Sequence, residues 1–289
     1  MIDRKQFLVA AASALLAGSL VACGGNANSN ADAGSGTDAA SGSDAAAKTL
    51  VVAASPSPHA QILQDFAAPL LAKKGITLEV KEYTDYIQPN VATENGEVDA
   101  NYFQHINYLN NYNKENGTDL ESAGAIHYEP FGVYSNKHSD LASIEDGAVI
   151  AIPNDPTNEG RALLVLQQEG LIALKDPENL EATPKDIAEN THNLEFQELE
   201  AAALPRALDD VDYAVINGNY AIEAGMHVAD AVAVEANDGK AVEQYGNIIC
   251  TTPDKLKDER IVALVEALQS KDFADYLKKT YDQDVLPAV

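Results

Sequence analysis

Two rhythms of apolar and polar residues run through most of this chain. Thr49 to Ala54 (TLVVAA) is a short continuous apolar run, the pattern of a parallel strand covered on both faces. Ile62, Leu63, Phe66, Leu70 and Leu71 then recur at helical spacing up to Gly75, and Pro69 inside that stretch predicts a kink or early stop. Ile76 to Lys81 alternates with period two, as a half-buried strand does. Strand, helix and strand in so short a span make a βαβ unit with a right-handed crossover. The same grammar returns downstream. Ala148 to Ile152 is a buried strand followed by Pro153-Asn154-Asp155-Pro156, where Asp155 suits a helix N-cap and Pro156 the first helical position. Asn193 to Leu199 alternates, Tyr213 to Ile216 is another apolar strand, and Ile261, Leu264, Val265 and Leu268 stripe a closing helix begun near Pro253. The extended segments His127–Ser135 and Tyr245–Thr251 read as two crossings between two βα sets. The prediction is an α/β fold of two lobes, 48–135 with 243–289 and 136–242, whose strand ends face a shared cleft.

The first 47 residues follow neither rhythm. Arg4 and Lys5 precede Leu8 to Ala22 (LVAAASALLAGSLVA), an uncharged segment with the length of a secretory h-region and too short to span a bilayer. It ends in Leu20-Val21-Ala22-Cys23, which resembles the lipobox of bacterial lipoproteins, so 1–22 is expected to be a signal peptide and Cys23 the lipidated first residue of the mature chain. Residues 24–47 carry no large apolar side chain and cannot offset their ordering entropy by burial. They are expected to be a flexible tether reaching roughly 25–30 Å. Lipidation leaves Cys250 as the remaining cysteine, and its neighbours Ile248 and Ile249 suggest a buried, inert thiol.

Composition narrows the function. With 45 acidic against 19 basic residues and a net charge of -26, the chain lacks the basic face that nucleic-acid binding needs. Hydrolase, zinc-protease, redox and phosphate-loop motifs are missing, so an enzyme is not expected. The six histidines (His59, His105, His127, His138, His192, His227) are scattered along the sequence, which disfavours a metal-carrying transport lipoprotein. Neither metal nor cofactor is expected.

Four stretches carry a more specific signal: Ser57-Pro58-His59-Ala60, Gly96–His105 (GEVDANYFQH), Pro153–Arg161 (PNDPTNEGR) and Ala214–Asn217 (AVIN). In order and spacing, and together with the lipobox, they resemble the NlpA family, the methionine-binding lipoproteins of ABC importers. The resemblance spans Lys48 to Val289. It implies a periplasmic-binding-protein fold of the type with two hinge crossings, anchored by Cys23 to the extracytoplasmic face of the cell membrane, which delivers L- or D-methionine to an ABC permease. Ligand-contacting positions of the family fall on Tyr86, Phe103, His105, Asn158, Arg161 and Asn217. Arg161 would take the ligand carboxylate with paired guanidinium donors, and Asn158 and Asn217 would serve the carboxylate and ammonium. Tyr86, Phe103 and His105 would wall the side chain, since a thioether gains from aromatic contact. Tyr102 and Tyr108 stand behind them, and Gly218-Asn219 departs from the family's usual pair. Without the resemblance, Phe103 reads as core and His105 as a surface histidine. Arg161 stands evenly between a ligand-binding guanidinium and a solvated helix residue or one paired with Glu159 or Asp155, and Asn217 reads as a turn after a strand. The same fold could also hold another small apolar amino acid, a methionine-containing peptide or a sulfonate.

Overall fold

The computed structural model describes residues 48–236 and 239–289; the expected signal segment, Cys23 and the tether lie outside them. The first sheet has six strands in the order β13-β4-β12-β3-β1-β2. β1 (Thr49–Ala54) lies between β2 (Thr77–Glu82) and β3 (Ala100–His105) and is parallel to both, with Val52 opposite Val80 and Ala100. Its apolar run is buried on both faces, whereas β2 at the sheet edge buries only alternate positions. The intervening helix α1 (Ile62–Ala67 continuing through Ala68–Lys73) does not stop at Pro69. Its first half is wound wide, the Ala68 amide bonding Leu63 O, and regular winding begins at Ala68. That change absorbs the missing proline N–H one residue before it is needed.

β3 is a central strand that the apolar pattern did not mark. All six of its residues are buried, yet half of ANYFQH is polar. The polar side chains are satisfied by α2 (Gln88–Glu94): Asn101 Nδ2 donates to Asn90 Oδ1 (3.0 Å) and Thr93 Oγ1 (2.7 Å). Gln104 Nε2 donates to Asn90 Oδ1 (2.6 Å), and Asn90 Nδ2 returns a bond to Gln104 Oε1 (3.0 Å). A closed amide network of this kind lets polar residues occupy a strand core without leaving donors unpaired. α3 (Ile106–Asn116) follows β3 directly and ends on Gly117 in the left-handed conformation (φ 69°).

β4 (Glu121–Tyr128) belongs to the first sheet and β5 (Gly132–Tyr134) to the second, so the chain crosses through Glu129–Phe131. The expected lobe boundary at 135 places β5 in the first lobe, whereas its pairing is with the second sheet. That sheet runs β11-β5-β10-β6-β9. β6 (Val149–Pro153) is parallel to β9 (Glu195–Leu199) and β10 (Tyr213–Ile216), and β5 runs antiparallel to both of its neighbours, β10 and β11 (Ala233–Val234). The short pair β7 (Ala173–Leu174) and β8 (Ile187–Glu189) lies apart, and the helices of this half are α4 (Pro156–Gln168), α5 (Leu204–Ala207) and α6 (Gly218–Glu223). As the sequence predicted, Asp155 caps α4, accepting from the Asn158 amide, with Pro156 just inside.

The return crossing runs from Glu235 to Gly246 and includes α7 (Gly239–Tyr245). The segment expected to be that crossing, Tyr245–Thr251, is mostly β12 (Asn247–Thr251), a buried strand between β3 and β4. Cys250 on β12 is buried, and desolvation pushes its thiol up to about 12. The closing helix α8 (Glu259–Leu268) starts later than Pro253 because Asp258 is its cap, its side chain accepting from the Arg260 amide. α8 and α9 (Lys271–Thr280) pack Ile261, Leu264, Leu268, Phe273 and Leu277 into the first core with Leu50, Val52 and Ile249, and β13 (Leu286–Pro287) ends the sheet. A separate core holds Phe131, Val133, Ile150, Ile152, Leu163, Leu166 and Val215. Among the described residues no helix is long and apolar enough to cross a membrane.

Gly160, inside PNDPTNEGR, has a packing role. A Cβ there would lie 2.3 Å from the backbone oxygen of Leu180, so α4 approaches that loop as closely as only glycine allows. Glycine in a helix interior ordinarily costs about 0.5–1 kcal/mol relative to alanine, but an overpacked contact against backbone costs about 1–3 kcal/mol. Gly160→Ala is therefore expected to lower the melting temperature by several degrees despite its better helix propensity; a rise on thermal denaturation would show that the loop yields.

Candidate ligand-binding site

The ends of strands from both sheets converge on one cavity. His105 closes β3, Asn217 follows β10, α4 starts just after β6, and Asn247 opens the antiparallel β12 opposite His105. The cavity is lined by Tyr86, Phe103, Gln104, His105, Tyr108, Glu129, Asn158, Arg161, Asn217, Gly218, Asn219 and Asn247. It spans about 340 Å³ of space between the side chains, part of it open to solvent. All six residues picked from the sequence line it, although they come from widely separated segments. The two halves touch across it: Tyr86 Oη donates to Asn219 Oδ1 (2.6 Å), His105 bonds Asn158 (3.3 Å), and Tyr220 Oη donates to Thr84 O (3.1 Å).

Part of the lining is aromatic. Tyr86 lies 5.8 Å from Phe103, 5.8 Å from Tyr108 and 5.0 Å from Tyr220, centroid to centroid. Tyr108 lines the cavity as a wall residue, and its hydroxyl donates to Tyr86 O (2.9 Å). Tyr102, its expected companion, is not among the lining residues. It alternates with Phe103 along β3, so it faces the other side of the sheet, where its hydroxyl bonds His127 Nδ1.

Another part is polar. His105 caps α3, its Nδ1 accepting from the Tyr108 amide (3.1 Å), which leaves the proton on Nε2 to donate to Asn158 Oδ1. Asn158 Oδ1 also accepts from Asn217 Nδ2 (2.8 Å), while Asn158 Nδ2 donates to both Asp155 oxygens (2.9 and 3.1 Å). Its amide is thus spent inside the protein and orients its neighbours instead of offering the cavity a free group. Two atoms on the lining residues are buried without a partner among the described residues: Asn217 Oδ1, an acceptor, and Asn219 Nδ2, a donor. Each such atom costs about 1–3 kcal/mol, and the pair matches a ligand carrying both a donor and an acceptor.

Arg161 is 4 % exposed and pairs with neither Glu159 nor Asp155. Its Nε and Nη2 donate to Glu235 (2.9 and 2.6 Å), and Nη2 also donates to Glu129 O (3.0 Å). The paired guanidinium edge expected for a ligand carboxylate is therefore occupied by Glu235, and Nη1 has no hydrogen-bond partner among the described residues. Burial alone would lower the Arg161 pKa, but the charge and hydrogen bonds of Glu235 more than reverse this.

Glu129, which the sequence reading passed over, supplies the carboxylate among the lining residues. Its Oε1 sits 2.7 Å from His127 Nε2 and 3.6 Å from His59 Nε2, and His59 Nε2 bonds Asn247 Oδ1 (3.0 Å). Histidines scattered in sequence are thus brought together here, in a buried His59–His127–Glu129 group with candidate ligand atoms within 4.8 Å of one another. Both ring nitrogens of His127 are hydrogen-bonded, to Tyr102 and Glu129, so as folded the group is a proton-ordered network. Gly218 completes it: a Cβ there would come within 2.6 Å of Glu129 Cβ. Burial raises the Glu129 carboxyl, opposed by His59, the Asn219 amide and Arg161. The residues missed from the sequence, Glu129, Asn219, Asn247 and Glu235, have no local pattern; Asn219 alone had drawn notice, through the unusual Gly218-Asn219 pair.

Two lobes closing on a cavity at their strand ends define a periplasmic-binding-type fold, the class to which this architecture belongs. The comparisons agree: the family model of the NlpA lipoproteins matches residues 50–289, and the chain belongs to that family. It is 40% identical over 289 residues to the methionine-binding lipoprotein MetQ of Bacillus subtilis, covering 98% of both chains. A lipoprotein structure from Ruminococcus gnavus superposes with a TM-score of 0.81 at 52% identity, covering 83% of this chain and 99% of that one. A nutrient-binding protein from Burkholderia cenocepacia, solved bound to methionine, gives 0.78 at 38% identity, covering 83% and 100%.

The histidines make stability pH-dependent. Desolvation, opposed by Glu129, lowers His59 to about 4; desolvation lowers His127 to about 3, and with Arg161 it lowers His105 to about 3. Folded values below the unfolded 6.5 mean that the unfolded chain binds the extra protons, so this stability is full above pH 6.5 and is lost as pH falls toward about 4. His127→Gln should therefore be less destabilising at pH 5 than at pH 7.5, by up to about 1.4 kcal/mol per pH unit. Denaturant melts at the two values measure this, and a gap that widens on acidification would contradict it.

Proposed function

We propose that this protein is an extracytoplasmic binding lipoprotein, not an enzyme, which captures methionine between its lobes and hands it to an ABC permease. Cys23 would carry the lipid that holds it at the membrane surface. The lobes follow the sheets: the first ends at Tyr128 and resumes at Asn247, and the second lies between the crossings. The observation that carries the reading is the lining of one cavity, which combines a buried cation, a carboxylate and two amide atoms unpartnered among the described residues with a set of aromatic rings.

In this reading Arg161 Nη1 takes the α-carboxylate, and Asn217 Oδ1 with Glu129 takes the α-ammonium. Charge-assisted contacts of this kind are strong because the site is desolvated. Tyr86, Phe103 and Tyr108 enclose the thioether, each worth roughly 0.3–1.5 kcal/mol, and His105 and Asn158 hold the lobes in register. Binding then shifts the equilibrium between open and closed lobes toward the closed surface that a permease distinguishes.

Calorimetry on residues 48–289, unfolded and refolded to strip carried-over ligand, tests this with L- and D-methionine. Saturable one-to-one binding is expected. Arg161→Ala should cost several kcal/mol, since it strands a desolvated carboxylate, and Phe103→Ala should weaken methionine more than alanine. Absence of heat with either enantiomer would discard methionine and turn attention to peptides and sulfonates. Equal losses for methionine and alanine would remove Phe103 from the side-chain wall.

A further inference from the structure

The Arg161 guanidinium is held by residues that belong to the crossings between the lobes. Glu235 directly follows β11 and opens the return crossing. It receives Nε on Oε1 and Nη2 on Oε2, and Tyr128, at the end of β4, donates its hydroxyl to the same Oε2. The Glu235 amide donates to Phe131 O (2.8 Å), tying the two crossings together, and Glu129 O in the first crossing takes the other Nη2 contact. Three ring centroids surround the guanidinium carbon, that of Tyr245 at 4.2 Å, Phe131 at 4.8 Å and Tyr128 at 5.7 Å, all from the crossings or their ends. Glu235 itself is not among the cavity-lining residues.

We infer that Glu235 is a positioning residue for the ligand carboxylate: by taking the Nε–Nη2 edge of Arg161 it turns Nη1 toward the cavity, and it holds that orientation from the crossing segment. This rests on the assignment of Arg161 to the carboxylate. A guanidinium is planar, so fixing one edge in a bidentate pair fixes the direction of the remaining nitrogen. A simple counter-ion would need only negative charge nearby. A positioning partner needs reach and geometry as well, and this difference is measurable.

The test compares wild type, Arg161→Ala, Glu235→Gln and Glu235→Asp by calorimetry with L-methionine and with L-methioninol, which lacks the carboxylate. Glu235→Asp keeps the charge and shortens the reach. Both Glu235 variants should lose roughly ten- to hundredfold in methionine affinity, by analogy with the loss of the outer partner of a metal ligand, while methioninol affinity stays within about threefold, under 0.7 kcal/mol. Unchanged or tighter methionine binding in Glu235→Gln, with Arg161→Ala still deficient, would overturn the inference. An equal loss for methionine and methioninol would do the same, since it would mark a merely structural role. If wild type binds no methionine, the functional reading falls, and a second measurement decides on Glu235 alone. In ¹⁵N-labelled protein a slowly exchanging arginine Nε–H resonance, absent in Arg161→Ala, should vanish in Glu235→Ala; its persistence there would overturn the assignment.

Discussion

A cation removed from water is the constraint on which this site depends. Burying an unpaired guanidinium costs several kcal/mol even after relaxation, so Arg161 can sit at the floor of the cleft only if its surroundings compensate for lost hydration. They do so with a carboxylate on one edge, a backbone carbonyl, and aromatic faces above and beside it. The rings shield the charge while contributing a favourable cation–π interaction. Since these partners come from the segments that join the lobes, the most polar contact of the site and the joint of the molecule are built from the same residues.

The rest of the polar floor is organised to stay neutral around that pair. His105, His59 and His127 are buried and resist protonation, so each acts as a fixed donor or acceptor with no second cation beside Arg161. Their hydrogen bonds run in order, from the Tyr102 hydroxyl to His127 to Glu129, and from His105 to Asn158, whose oxygen also receives Asn217. Directional chains of this kind polarise one another in a low-dielectric interior. On the cavity lining they leave Asn217 Oδ1 and Asn219 Nδ2 as amide atoms without a partner among the described residues.

Much of this architecture is written in the local pattern, and the exceptions have physical reasons. β1, β6 and β10 are legible because strands covered on both faces must be apolar, and the α4 start is legible because a cap needs Asp155 and tolerates Pro156. β3 is illegible for the opposite reason: its Asn101 and Gln104 are buried by a network whose partners lie on another element. Pro69 does not end its helix, because the winding changes from wide to regular beside it. At the site, the family-matched string led to Asn158 and Arg161. Glu129, Asn247 and Glu235 sit in extended segments without a motif, and their importance arises only when three distant parts of the chain meet. The His59–His127–Glu129 group shows the same limit, since spacing along a sequence does not report convergence in space.

Gly218 has a consequence for how such a pocket can diversify. Its missing Cβ is what lets α6 press against Glu129, so a larger residue there would displace the carboxylate and the histidines behind it. Gly160 pins α4 of that lobe in the same way. The half of the pocket around Glu129 and α4 is therefore sterically locked. Tyr86 and Phe103, in contrast, are contributed by the opposite lobe and meet mainly other rings and one amide. Under the proposed assignment, substitutions there would reshape the volume offered to a side chain while leaving the Arg161 cage intact, so one lobe would be free to drift toward new ligands while the other kept a common grip.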